Sequence, residues 1–175
     1  MLSIKDIEIQ NIPLSAASND ILEGTSVADT LIGGKGDDLL KGYGGADIYR
    51  YTLGDGNDTL NDSEYNGGND QLIFSGTGLT ASNAIVTRLG SSYDLKISFG
   101  GVIGSVILKD QVYRTDDYGV EKITFSDGTI WNEAQLRNAY LTLGAASNDI
   151  LEGTSVVDTL IGGKGDDLLK GYGGA

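Results

Sequence analysis

The chain has 175 residues, 27 of them glycine, and a net charge of −13 from 12 basic and 25 acidic residues. It contains neither histidine nor cysteine, which excludes a Ser-His-Asp triad, a cysteine nucleophile, a zinc site built on those ligands and a disulfide framework. The acidic balance disfavours nucleic acid and anionic membranes as partners and favours cations, and no run of 18 or more apolar residues offers a membrane span.

In chain order, residues 1–14 come first. Lys5, Asp6 and Glu8 sit where an export leader needs an apolar stretch, so no leader is legible. Ile4, Ile7 and Ile9 alternate loosely with charged residues, as a segment capping a first coil would. Residues 15–73 then repeat with a period of nine, with aspartate at position 6 and an apolar residue at position 8. The units are Ser15–Glu23 (Asp20, Leu22), Gly24–Ile32 (Asp29, Leu31), Gly33–Lys41 (Asp38, Leu40) and Gly42–Arg50 (Asp47, Tyr49). Two extra residues precede Leu53–Asn61 (Asp58, Leu60), and three precede Tyr65–Ile73 (Asp70, Leu72).

Residues 74–143 lose that period. Tyr93, Leu95, Ile97 and Phe99 alternate with Asp94, Lys96 and Ser98, a half-buried strand. Gly100-Gly101 and Asp127-Gly128 are two-residue hairpin signals, the first leading into Val102–Lys109 and the second between Val120–Ser126 and Thr129–Trp131. Asn132 is placed to cap a short helix, Glu133–Leu141. An antiparallel β spacer ending in one helix is expected. Tyr93, Phe99, Phe125 and Trp131 read as core residues, and Asp116, Asp117 and Glu121 as a solvated loop.

Residues 144–175 return to the nine-residue rhythm. Residues 145–175 repeat residues 16–46 at an offset of 129, with Val157 replacing Ala28 as the one difference. The chain reads as one period of a tandem array and the start of the next, with a second, partial set of repeats. The repeats at 15–73 and 144–175 carry −8 and −3 of the net charge.

Each nonapeptide divides into a turn and a very short strand. Glycines let the turn backbone adopt positive φ and bend, while alternation along the strand turns position 8 inward and positions 7 and 9 outward. Gly33–Lys41 reads GGKGDDLLK, the pattern G-G-x-G-x-D-x-U-x of RTX calcium-binding repeats. Gly42–Arg50 and Gly162–Lys170 match closely, whereas at 15–32 alanine, serine, threonine and valine replace the glycines. The chain therefore resembles the haemolysin-type calcium-binding repeat family of secreted bacterial proteins. The segment ending in Phe125–Thr129 and Trp131 resembles the non-repeat part that accompanies such repeats.

That resemblance implies an all-β fold: a parallel β-roll over 15–73, the antiparallel segment with its helix, and a second, truncated roll over 144–175. It implies ligation of calcium, which takes six to eight oxygens, by aspartates of stacked turns together with backbone carbonyls of positions 1 to 4. The pairs expected are Asp20 with Asp38, Asp29 with Asp47, Asp149 with Asp167, Asp38 with Asp58 and Asp47 with Asp70, with Asp158 lacking its partner. The glycines placed in the sites are Gly24, Gly33, Gly34, Gly36, Gly42, Gly44, Gly45, Gly54, Gly56, Gly153, Gly162, Gly163 and Gly165. Asp37 and Asp166, at position 5, are expected to face solvent. About four to six calcium ions would bring the repeats near neutrality.

The function expected is a non-catalytic, calcium-folded structural module of a large secreted or cell-surface protein, exported unfolded by the type I route that the resemblance implies. Its partners would be calcium and neighbouring repeat units, with head-to-tail self-association through open coil ends as a further expectation. A glycan- or protein-binding module of an adhesin, or an accessory part of a secreted enzyme, is the alternative.

Overall fold

The computed structural model describes residues 17–62, 68–89, 93–112, 119–141, 150–152, 160–162 and 165–173. The first six strands follow the nine-residue rhythm: β1 Ile21–Glu23, β2 Thr30–Ile32, β3 Leu39–Lys41, β4 Ile48–Thr52, β5 Asn57–Leu60 and β6 Gln71–Ser75. Odd strands pair in parallel in one sheet and even strands in another, so two nonapeptides make one coil and the chain crosses between sheets at every turn. In register, Leu22 stacks under Leu40 and Leu60 in one sheet, and Leu31 under Tyr49 and Leu72 in the other. All six are buried. Position 8 is the inward residue because a three-residue strand has only one central side chain to bury.

After β6 come a 3₁₀ turn, Ala81–Asn83, and the strands β7 Ala84–Arg88, β8 Leu95–Phe99 and β9 Ser105–Leu108. β7, β8 and β9 form the expected antiparallel meander, with Gly101 (φ 74°) in the turn between β8 and β9. β10 Lys122–Thr124 and β11 Ile130–Asn132 form the second expected hairpin. Asn132 and Gln135 cap α1, Glu133–Leu141, reciprocally: each side-chain oxygen accepts the other's backbone N–H, at 3.0 and 2.9 Å.

A further pairing is not foreshadowed by the sequence pattern. β9 lies parallel beside β5, and β10 lies parallel beside β6. Both roll sheets thus run on into the non-repeat segment, in the orders β1-β3-β5-β9-β8-β7 and β2-β4-β6-β10-β11. Leu108 and Ile123 continue the two inward columns above Leu60 and Leu72. Phe74, Phe99 and Phe125 close the core in edge and stacked contacts, with Trp131 edge-on to Phe125 at 4.5 Å. Tyr93 departs from its expected place in the core: it is 41% exposed, with the Arg88 guanidinium 5.8 Å from its ring centroid.

In the second copy, β12 Ile150–Glu152 and β13 Leu168–Lys170 pair in parallel in the register of β1 and β3. Leu169 is 45% exposed where its counterpart Leu40 is 1% exposed; among the described residues β13 pairs with β12 alone, whereas β3 lies between β1 and β5.

Candidate metal centre

The position-6 aspartates line up in two columns, one residue before each strand except Asp58, which is the second residue of β5. In one column the Asp20 N–H donates to Asp38 Oδ1 (2.8 Å) and the Asp38 N–H to Asp58 Oδ1 (3.0 Å). In the other, the Asp29 N–H donates to Asp47 Oδ1 (2.8 Å) and the Asp47 N–H to Asp70 Oδ1 (2.6 Å). Each carboxylate therefore reaches back one full coil. The structure thus brings together four of the five pairs that the resemblance implies, including the two that must absorb insertions, while the fifth, Asp149 with Asp167, falls on a residue outside the described ones.

The second oxygen of each carboxylate separates the intact turns from the degenerate ones. In the degenerate turns a neighbouring side chain ties it down. The Ser18 hydroxyl donates to Asp20 Oδ2, and the Thr25 backbone N–H and hydroxyl both donate to Asp29 Oδ2. In the two intact turns of the first roll no such group is found among the described residues, and Asp38 Oδ2 and Asp47 Oδ2 are buried with no hydrogen-bond partner. A buried, unsatisfied carboxylate oxygen is costly unless a cation meets it. The position-1 glycine beneath keeps the space open: a Cβ at Gly33 would strike Asp38 Oδ2, and one at Gly42 would strike Asp47 Oδ2.

Electrostatics agrees. Burial is the first cause of a raised carboxyl pKa at Asp38, at Asp47 (to about 6) and at Asp58 (to about 7), and neighbouring aspartates add to it. Hard oxygen donors of like charge, buried and unsatisfied, fit a divalent cation of the calcium type. The position-4 glycines bring backbone carbonyls into these turns. Gly36, Gly45 and Gly56 all have positive φ and stack so closely on Ser18, Val27 and Gly36 that a Cβ has no room.

The model of the RTX calcium-binding nonapeptide repeat matches residues 16–49, 23–60 and 152–175. The chain carries RTX calcium-binding repeats. The model of the haemolysin-type calcium binding protein related domain matches residues 94–135, which span β8 to β11 and the first residues of α1. The extracellular lipase LipA from Serratia marcescens is 20% identical, with a TM-score of 0.43, aligned over 87% of this chain and 27% of its own. No curated protein sequence matches the chain.

Other expected site residues are placed as follows. Gly34 (φ 84°) and Gly54 (φ 96°) take left-handed turn positions. Tyr43 occupies the place of Gly34 in the next RTX unit, at φ 71°, and Gly44 beside it donates its N–H to the Thr25 carbonyl. A Cβ at Gly24 would meet Asp29 Oδ2 at 2.8 Å. In the second roll Asp167 folds back over Gly162 as Asp38 does over Gly33, and Gly165 (φ 129°) repeats Gly36. Asp149, Gly153, Asp158 and Gly163, together with Asp116, Asp117 and the segment 1–14, lie outside the described residues. Asp37 and Asp166 are exposed as expected; Asp37 also accepts the Asn57 N–H at 2.7 Å.

Three acidic residues lie at these sites without having been foreseen. Glu121, expected in a solvated loop, instead caps the second column: the Asp70 N–H donates to its Oε2 (2.5 Å), and burial raises its pKa to about 7. The pairing of β6 with β10 sets Glu121 in register with Asp70, so it holds position 6 of a further coil. In the first column Val106 takes that place opposite Asp58. Asp62 and Asp55 are buried too. Asp55 accepts the Thr52 N–H and sends its own carbonyl to the Gly36 N–H. Nothing in the nine-residue period marks Glu121, which follows Asp70 by 51 residues.

Proposed function

We propose that this chain is a calcium-switched structural module of a secreted or cell-surface protein, poorly folded without calcium and stiff with it. The observation that carries the reading is the pair of buried, partnerless oxygens on Asp38 and Asp47 in the two intact turns. The roll buries one apolar side chain per nonapeptide, worth about 1.5–3 kcal/mol. Such a core needs help, and ligands that meet only when turns stack convert metal affinity into folding free energy.

Extracellular calcium modules commonly bind at about 10⁻⁴–10⁻³ M, so the switch would stay open where calcium is scarce and close outside the cell. Asp20, Asp29, Asp38, Asp47, Asp58 and Asp70 would supply carboxylates and the turn glycines would supply carbonyls. Asp149, Asp158 and Asp167 would do the same in the second copy. The 129-residue period suits a stiff, extended array in which one copy seats the next.

Far-UV circular dichroism during calcium titration of EDTA-treated protein tests the reading, with magnesium as control. A cooperative gain of β structure with calcium and none with magnesium is expected. Full β structure in EDTA would overturn the switch.

A further inference from the structure

Asp62 lies outside the nine-residue pattern, just past the end of β5, and is buried. Its Oδ2 accepts the Tyr49 hydroxyl at 2.8 Å. Tyr49 stands at position 8, where the five other units of this roll place leucine. Its ring fills the same column, but its hydroxyl delivers a donor to the inner wall beneath the second carboxylate ladder. Carboxylate oxygens of Asp47, Asp62 and Asp70 all lie within 4.8 Å of one another. That is about the widest separation of two oxygens that both touch one calcium ion, each at about 2.4 Å.

Asp47 supplies the independent observation. It is 0% exposed, Oδ1 accepts the Asp29 N–H, and Oδ2 has no partner. A Cβ at Gly42 would strike both that oxygen and the Tyr49 hydroxyl, so the unsatisfied atom and the group that holds Asp62 face the same space.

We propose that Asp62 is a calcium ligand, completing with Asp47 and Asp70 a three-carboxylate site on the inner side of the second ladder. The proposal rests on the calcium-dependent reading above and adds to it a ligand from the insertion between two repeats. The rival occupant is a proton shared between Asp62 and Asp70. A proton there would leave Asp47 Oδ2 without a partner, whereas a cation satisfies all three carboxylates. Backbone carbonyls and water would fill the rest of the coordination shell.

The test is a count of bound calcium on the whole chain by native mass spectrometry and equilibrium dialysis. Asp62→Asn keeps an acceptor for the Tyr49 hydroxyl and should lose one ion per chain. Tyr49→Phe removes only the hydroxyl that orients Asp62 and should weaken one binding step about 10–100-fold, with the final count unchanged. Anomalous diffraction from the unmutated chain crystallised in calcium decides the matter should Asp62→Asn fail to fold. An ion bonded to all three carboxylates supports the proposal, and an Asp62–Asp70 hydrogen bond with no ion overturns it. Unaltered count and affinities in Asp62→Asn overturn the Asp62 assignment alone. Absence of calcium binding by the unmutated chain overturns the broader reading as well.

Discussion

Asp38 and Asp47 owe their free oxygens to what is missing beneath them. Where the degenerate turns carry Ser18 at position 4 and Thr25 at position 2, the intact turns carry Gly36 and Gly45 at position 4 and Gly34 and Tyr43 at position 2, none of which donates to the second oxygen, and the position-1 glycine leaves the space beside it open. Gly33→Ala therefore puts a methyl group against Asp38 Oδ2 and should destabilise the calcium-bound roll by about 1–3 kcal/mol. The calcium midpoint in a circular dichroism titration should rise accordingly, and an unchanged midpoint would remove the steric account. The same carboxyls set a pH dependence for the metal-free chain. Burial lifts their folded pKa values above the ordinary aspartate value of 3.8, to about 6 for Asp47 and about 7 for Asp58. Raised folded values mean that protonation favours the fold: this stability is present below pH 4 and is lost as pH climbs through 6 to 7. In EDTA, β structure should therefore be greater at pH 5 than at pH 8, and calcium should abolish the difference.

Strands β9 and β10 change the meaning of the segment that follows the repeats. They extend both parallel sheets, and Glu121 takes the place that a seventh repeat aspartate would hold. Glu121→Ala leaves the buried Asp70 N–H without its acceptor, a loss of about 1–3 kcal/mol. Thermal melting in saturating calcium should fall by several degrees, and Glu121→Gln, which keeps an acceptor oxygen, should restore most of it.

Legibility in the sequence divides along this line. The pairings of Asp20 with Asp38 and Asp29 with Asp47 follow from a fixed period of 18 residues per coil, and the hairpins follow from Gly100-Gly101 and Asp127-Gly128. Glu121, Val106 and Asp62 escape because their neighbours are set by tertiary register across long or irregular connections. A lone acid between two strands looks the same whether it is solvated or locked under a coil. Tyr93 is misplaced for a related reason: it lies just before the alternating strand β8, and alternation gives no warning of where a strand's ordered pairing begins.

At the scale of the molecule, strands lie across the direction in which coils stack, and neighbouring strands are separated by about 4.8 Å. A load drawn along the stack falls on one row of inter-coil contacts at a time, as in opening a zipper, and the outermost coil must yield before the next is stressed. Eighteen residues that contribute about 5 Å of height can reach about 60 Å when pulled straight. An array of such coils would act as an extensible tether that absorbs a sudden tug in discrete steps and sheds its ions as each coil opens. Optical-tweezer traces in calcium should show repeated length gains of about that size, vanishing in chelator; a single abrupt rupture of the whole roll would show that its coils resist load collectively.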